Sequence, residues 1–189
     1  ISNSIIFYGN PELDCDFILN DRIMQLKCPD TYDYLPMKIY CMLNALKQLE
    51  SLNNITHIFK IDDLDVKFND NINEKLIKIP NIMNINYAGQ RLIKNIKDNE
   101  VCRTWHFNKC SPTSKWYNKE YDGEYVPWID GGCGYILSKI SIHLIANEDE
   151  SYIQNHIYED LMVAILLKKY NIIPIGIKQL FRGSRPATQ

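Results

Sequence analysis

His57-Ile58-Phe59-Lys60-Ile61-Asp62-Asp63-Leu64-Asp65 holds the fold's main clue. A short apolar run, long enough for a buried strand and too short for a buried helix, ends in the carboxylates of Asp62, Asp63 and Asp65. In an open α/β sheet, ligands collect beyond the carboxyl ends of parallel strands, where the loops diverge and leave a crevice. Like charges packed this closely repel unless a cation lies among them, and a hard divalent metal with oxygen ligands suits such a place. In extended backbone Asp63 and Asp65 point to one side while Leu64 turns away, so both carboxylates can share one ion. The same residues also fit a solvated acidic turn with no ligand. An EF-hand is excluded: counted from Asp63, Glu74 falls on the twelfth place, but Phe68 occupies the sixth, which must be glycine for the sharp turn.

The 189 residues, 46% of them hydrophobic, suffice for one sizeable core, and no Pro/Gly/Ser-rich linker divides them, so one domain is expected over 1–189, with 178–189 as a trailing segment. A net charge of -2 and a pI of about 6.1 give no electrostatic ground for a nucleic-acid partner. No apolar run approaches the length of a membrane span, and the first residues lack the charged-then-apolar pattern of a signal peptide. Cys15, Cys28, Cys41, Cys102, Cys110 and Cys133 form no CxxC pair and no zinc spacing with histidine. Cys102 and Cys110 are spaced to close a short loop, with buried free thiols as the equal alternative. Asn54-Ile55-Thr56 is a glycosylation sequon, relevant only in a secretory lumen.

Around the acidic stretch the chain reads as alternating strands and helices. Ser4 to Tyr8 and Phe17-Ile18-Leu19 are strand-like, the first ending in the turn residues Gly9-Asn10-Pro11. Leu35, Ile39, Met42, Leu43, Leu46 and Leu49 follow a helical period, with Asp33 expected as N-cap and Pro36 in the first turn. That helix delivers the chain to the Ile58 strand, which predicts a right-handed strand-helix-strand crossover. A short helix over 72–79 and a strand over 86–89 come next. Residues 90–130 lose periodicity and gain Trp105, Phe107, Trp116, Tyr117, Tyr121, Tyr125 and Trp128, which suits either core beneath long loops or a surface for stacking sugars. Gly131-Gly132-Cys133-Gly134 lets the backbone turn sharply or approach a ligand, but lacks the Walker lysine and the dinucleotide spacing. A strand over 136–138 leads into a helix from Lys139 to Ala146. A polar loop then precedes a helix opened by Tyr158-Glu159-Asp160, with Leu161, Ala164, Ile165 and Lys168 on one side, and a last strand spans 172–177.

Lys60-Ile61-Asp62-Asp63 with Asp65 resembles the Lys-x-Asp-Asp-Asp motif of the beta-1,3-galactosyltransferase and fringe-like glycosyltransferases. Asp30-Thr31-Tyr32-Asp33-Tyr34-Leu35 with Lys38 is similar to the segment that opens the preceding helix in that family. Lys115-Trp116-Tyr117, Tyr125-Val126-Pro127 and Gly131 to Ser138 resemble its Lys-Trp-Tyr and Tyr-Pro…Gly-Gly-Tyr-Val-Leu-Ser stretches, and Glu159-Asp160 its Glu-Asp pair. The resemblance implies a GT-A-like (Rossmann-like) α/β fold with a mostly parallel central sheet flanked by helices. It also implies a UDP-sugar donor, a Mn2+ or Mg2+ ion, and inverting transfer of a hexose or N-acetylhexosamine to a hydroxyl of a glycan or glycoprotein acceptor.

By this resemblance Asp63 and Asp65 hold the metal. Asp62, Asp63, Gly131, Gly132 and Lys38 serve the donor, Trp128 and Asp130 border the acceptor, and Asp160 is the base, with Glu159 orienting it or contacting the acceptor. At the start of a helix, Asp160 is expected to be ionised at neutral pH. Leu64 interrupts the family's consecutive aspartates, so Asp62-Asp63 competes with Asp63-Leu64-Asp65 as the working set. The family's earlier strand and arginine segment would fall ahead of residue 1, and the last histidine, His156, precedes the Glu-Asp pair, so the resemblance also admits 1–189 as a fragment of a longer enzyme or as a degenerate one. The rival function is a non-catalytic carbohydrate- or nucleotide-binding module. The compartment follows the source: Golgi or ER lumen if the family location holds, cytoplasm for a viral or microbial protein.

Overall fold

The computed structural model describes residues 4–49, 54–62, 72–94 and 101–177. Strand β1 (Ile6–Gly9) pairs in parallel with β3 (Ile23–Leu26), and β2 (Phe17–Asn20) lies antiparallel on the far side of β3. β3 was not expected. A two-residue turn that contains no glycine joins it to β2, and Asp21 takes the left-handed conformation there at φ +54°, which Asp tolerates better than most side chains.

Helix α1 (Leu35–Gln48) buries Ile39, Met42 and Leu43, as its period requires, and packs against β1, β3 and the later helices. Its N-cap is Tyr34 and not Asp33, whose carboxylate accepts the Thr31 hydroxyl at 2.8 Å within a preceding 3-10 turn. Strand β4 (His57–Lys60) follows, then helix α2 (Ile72–Ile77), strands β5 (Tyr87–Gly89) and β6 (Leu92–Ile93), and, after the aromatic stretch, β7 (Trp128–Ile129). Strand β8 (Tyr135–Ser138) runs into α3 (Lys139–Ala146), capped by the Ser138 side chain on Ser141 N–H. Helices α4 (Glu150–Ile153) and α5 (Glu159–Lys168) and strand β9 (Ile175–Gly176) complete the order.

The sheet beside α3 runs β4-β8-β5-β9. β8 is antiparallel to both β4 and β5, and β5 is parallel to β9. The expected mostly parallel central sheet is therefore corrected to a mixed one. β4, β5 and β9 share a direction, and β8 is inserted against them because the glycine loop before it returns the chain without a crossover helix. The helix-linked partner expected for β4 is also different: β3 and β4 belong to separate sheets, and β4 bonds to β8.

The registry aligns Lys60, Tyr135, Gly89 and Gly176 in one row, so the carboxyl ends of β4, β5 and β9 meet the entrance to β8. Gly134, at φ +78°, fits here because a Cβ would lie 2.6 Å from the Phe59 ring and 2.9 Å from the Lys60 carbonyl oxygen.

α5 is the centre of the core. The sequence suggested one apolar side, but Leu161 through Leu167 are all buried, and the helix packs on α1, α3 and β7. Such a helix has no solvent face along its middle, which is why its amphipathic signal is weak. The aromatic stretch divides between the two expectations: Trp116 and Tyr121 are core, while Trp105 and Tyr117 are almost half exposed at 48% and 45%. All six cysteines are free thiols, Cys102 exposed and Cys110 buried, so no bridge closes that loop. Among the described residues no helix is long and apolar enough to cross a membrane.

Candidate functional site

The row of strand ends carries a buried charge cluster. Lys60, the last residue of β4, is 6% exposed. An ammonium group that deep requires anionic partners. It donates to Asp62 Oδ1 at 2.6 Å and to Glu159 Oε1 at 2.7 Å. Burial alone would lower the lysine's pKa, but the charges of Glu159 and then Asp62 outweigh it and raise the group above its usual range. The other Glu159 oxygen accepts the Tyr135 hydroxyl at 2.9 Å. Glu159 thus has both oxygens bonded inside the protein, the arrangement of an orienting residue.

Asp160, the next residue, turns toward the glycine loop. Its Oδ2 accepts Gly131 N–H at 3.0 Å, and its Oδ1 accepts its own helix's Leu161 N–H at 2.8 Å. A side chain on Gly131 would place Cβ 2.5 Å from Glu159 Oε1 and 3.1 Å from Asp160 Cβ, so glycine is a steric requirement of the close approach. Burial, and then the neighbouring Glu159 charge, push Asp160 up to about 7 against the pull of the Gly131 and Leu161 N–H groups. The sequence expectation of a fully ionised carboxylate is corrected accordingly: lost solvation and a like charge outweigh the helix terminus.

Asp130 caps the 3-10 turn Gly131–Cys133 by accepting Gly132 N–H at 3.0 Å, and its second oxygen meets Arg91 at 3.0 Å. Two expected donor-site glycines and an expected acceptor-site acid thereby form one rigid turn beside Asp160. Trp128 stands in β7, partly buried, its ring 5.8 Å from that of Tyr125. Tyr87 secures the strand below by accepting Ile129 N–H at 3.1 Å.

The structure brings Asp62, Asp130, Gly131, Gly132, Glu159 and Asp160 together through these contacts. Lys38 does not join them among the described residues: it is bonded to Asp30 at 2.6 Å on the first half of α1. Asp63 and Asp65 lie outside the described residues. Among those described, no group of three His, Cys, Asp or Glu side chains is gathered for a metal ion. Asp62 already serves Lys60, so the described carboxylates do not by themselves make a metal site.

Lys60 and Tyr135 were named from the sequence only as members of motifs, with no role assigned, and Arg91 was not named. A lysine closing a short, mainly apolar strand was a usable signal for a role of its own, because once buried it demands an acid partner. Tyr135 and Arg91 carried no comparable mark.

A family model described as Galactosyltransferase matches residues 19–178. No curated protein matches the chain significantly.

Proposed function

The chain belongs to the galactosyltransferase family, whose chemistry is glycosyl transfer from a sugar donor to a glycan acceptor, and on that premise we propose an inverting, metal-dependent enzyme. In this proposal it moves a hexose or N-acetylhexosamine from a UDP-sugar to a hydroxyl of a glycan or glycoprotein. The supporting observation is Asp160, a carboxyl whose pKa is pushed up to about 7 and which is held by Gly131 N–H beside the row of strand ends.

Inversion in one displacement needs a base on the face opposite the leaving group, to take the acceptor hydroxyl's proton as the new bond forms. A group whose pKa lies near the working pH is well matched to that transfer. Asp160 accepts the proton. Glu159, fixed by Lys60 and Tyr135, keeps Asp160 in place and raises its proton affinity by its charge. Trp128 offers a ring face to the acceptor sugar. The Gly131-Gly132 backbone, with no side chains, lets the donor sugar come close. Asp62, held by Lys60, accepts hydrogen bonds from ribose or donor-sugar hydroxyls. Asp63 and Asp65 would hold Mn2+ or Mg2+, which when bound supplies positive charge for the departing diphosphate.

The test is incubation with manganese, a panel of UDP-sugars and candidate acceptors, scoring UDP release. Asp63→Ala, Asp65→Ala and Asp160→Asn should each abolish release while near-UV circular dichroism stays unchanged. A chain that binds UDP but turns over no donor with any acceptor is a binding module, and the proposal then fails.

A further inference from the structure

His106 is fully buried within the irregular stretch between β6 and β7, and glycosyl transfer as described gives it no task. A buried imidazole needs a partner for each ring nitrogen. Nε2 lies 2.8 Å from the Lys119 carbonyl oxygen, which can only accept, so Nε2 carries a proton and donates it. Nδ1 is left with its lone pair, and the Tyr158 hydroxyl donates to it at 2.8 Å. The tautomer is thus assigned by the bonding.

Tyr158 is the N-cap of α5. That place favours Ser, Thr, Asp or Asn, whose short side chains bond the first free N–H groups of a helix. Tyrosine makes no such bond here. Its phenol fixes the helix start from outside instead. The ring is clasped edge-on by His106, with centroids 5.5 Å apart, and by Tyr121 at 5.1 Å, and its oxygen also meets the Trp105 backbone. The first turn begins at the Tyr158 carbonyl, which accepts Met162 N–H at 3.0 Å. Asp160 lies within that turn, so where Tyr158 sits decides where the carboxylate points.

We infer that His106 is a positioning residue for Asp160: by holding the Tyr158 hydroxyl it sets the start of α5 and presents the carboxylate to the acceptor. The inference rests on Asp160 being the base. Among the described residues the groups facing Asp160 are Glu159, Asp130, the N–H groups of Gly131 and Leu161, and the phenols of Tyr87, Tyr125 and Tyr135. His106 is not among them and acts through Tyr158.

Three variants test this. His106→Leu removes both bonds, His106→Gln keeps a donor and an acceptor, and Tyr158→Phe removes only the hydroxyl. With manganese and whichever UDP-sugar is turned over, kcat is measured at saturation, UDP affinity by calorimetry, and the Asp160 carboxyl titration by carbon-13 NMR. His106→Leu and Tyr158→Phe should each lower kcat about ten- to a hundredfold, with UDP affinity changed by less than about twofold. The double variant should be no worse than the worse single one, since both break one link, and His106→Gln should recover most of the rate. A folded Tyr158→Phe protein with undiminished kcat, or losses that multiply in the double variant, would overturn the inference. If the unmodified chain turns over no donor, the transferase proposal has failed, and the NMR arm still decides the link to Asp160. A midpoint that falls by about one pH unit in both variants supports it, and an unmoved midpoint rejects it. Should His106→Leu not fold, Tyr158→Phe carries the test alone.

Discussion

Two titratable groups, His156 and Asp160, should pull the protein's stability in opposite directions as the pH falls from 7 to 5, and single substitutions should expose each. His156 is 8% exposed, and its Nδ1 has no hydrogen-bond partner among the described residues. Burial, with the charges of Lys169 and Lys115, brings it from the ordinary 6.5 down to about 4. Over this interval the unfolded chain takes up a proton that the folded chain refuses, so acidification destabilises the fold. Integrating between pH 7 and 5 gives a loss of about 2 kcal/mol. Asp160 is raised from 3.8 to about 7 and has the opposite sign: the folded chain takes up a proton that the unfolded carboxylate does not, so acidification stabilises it. The same integration gives a gain of about 2 kcal/mol, a ceiling because the side chain is only partly buried. In the unmodified chain the two contributions nearly cancel. His156→Phe should leave the Asp160 gain uncovered, making the protein more stable at pH 5 than at pH 7 relative to the unmodified chain. Asp160→Asn should leave the His156 loss, so that protein weakens by a similar amount. Urea unfolding followed by tryptophan fluorescence at both pH values, compared across the three proteins, removes the groups they share. A His156→Phe protein whose pH profile runs parallel to that of the unmodified chain would refute the reasoning.

Lys60→Met should cost about 3 to 5 kcal/mol in urea unfolding, because it strands the Glu159 charge in the interior; adding Glu159→Gln should recover part of the loss. Gly131→Ala should displace Glu159 or Asp160, since the new Cβ meets Glu159 Oε1 at 2.5 Å; the expected result is a fall in kcat of about a hundredfold with UDP affinity retained by calorimetry. Trp128→Ala should raise the acceptor KM and leave donor KM unchanged, as a lost stacking face would; equal effects on both substrates would remove Trp128 from the acceptor side.

The parts of the fold legible in the sequence were those with a local cause. α1 announced itself by its period and by Pro36, α3 by apolar residues behind Ser138, and β4 by an apolar run cut off at Asp62. β3 and α4 were missed because four residues carry too little pattern to stand out from a turn. The direction of β8 was not legible either: pairing partners are long-range, and an apolar run reads the same way parallel or antiparallel. For the candidate site, residue order identified Glu159, Asp160 and the glycine loop, and the structure gathers them. Order could not reveal that Glu159 faces inward to Lys60, nor that burial would outweigh the helix terminus at Asp160. Both depend on which groups lie within a few ångströms across distant parts of the chain.

The Lys60–Glu159 pair is better explained by specificity than by strength. Bringing two charges into the interior costs much of what their attraction returns, and apolar replacements of equal volume would stabilise the fold as well. Registry is what such replacements would not fix. Shifting β4 by one residue against β8 would turn Lys60 to the opposite face of the sheet and leave Glu159 without its cation and Tyr135 without its geometry. One alignment alone satisfies all three groups. In that alignment Asp62 emerges just beyond the end of β4 in reach of Lys60, and Gly131 meets Asp160. The buried pair thereby converts an ambiguous four-residue strand into one with a fixed register, and with it the position of Asp62.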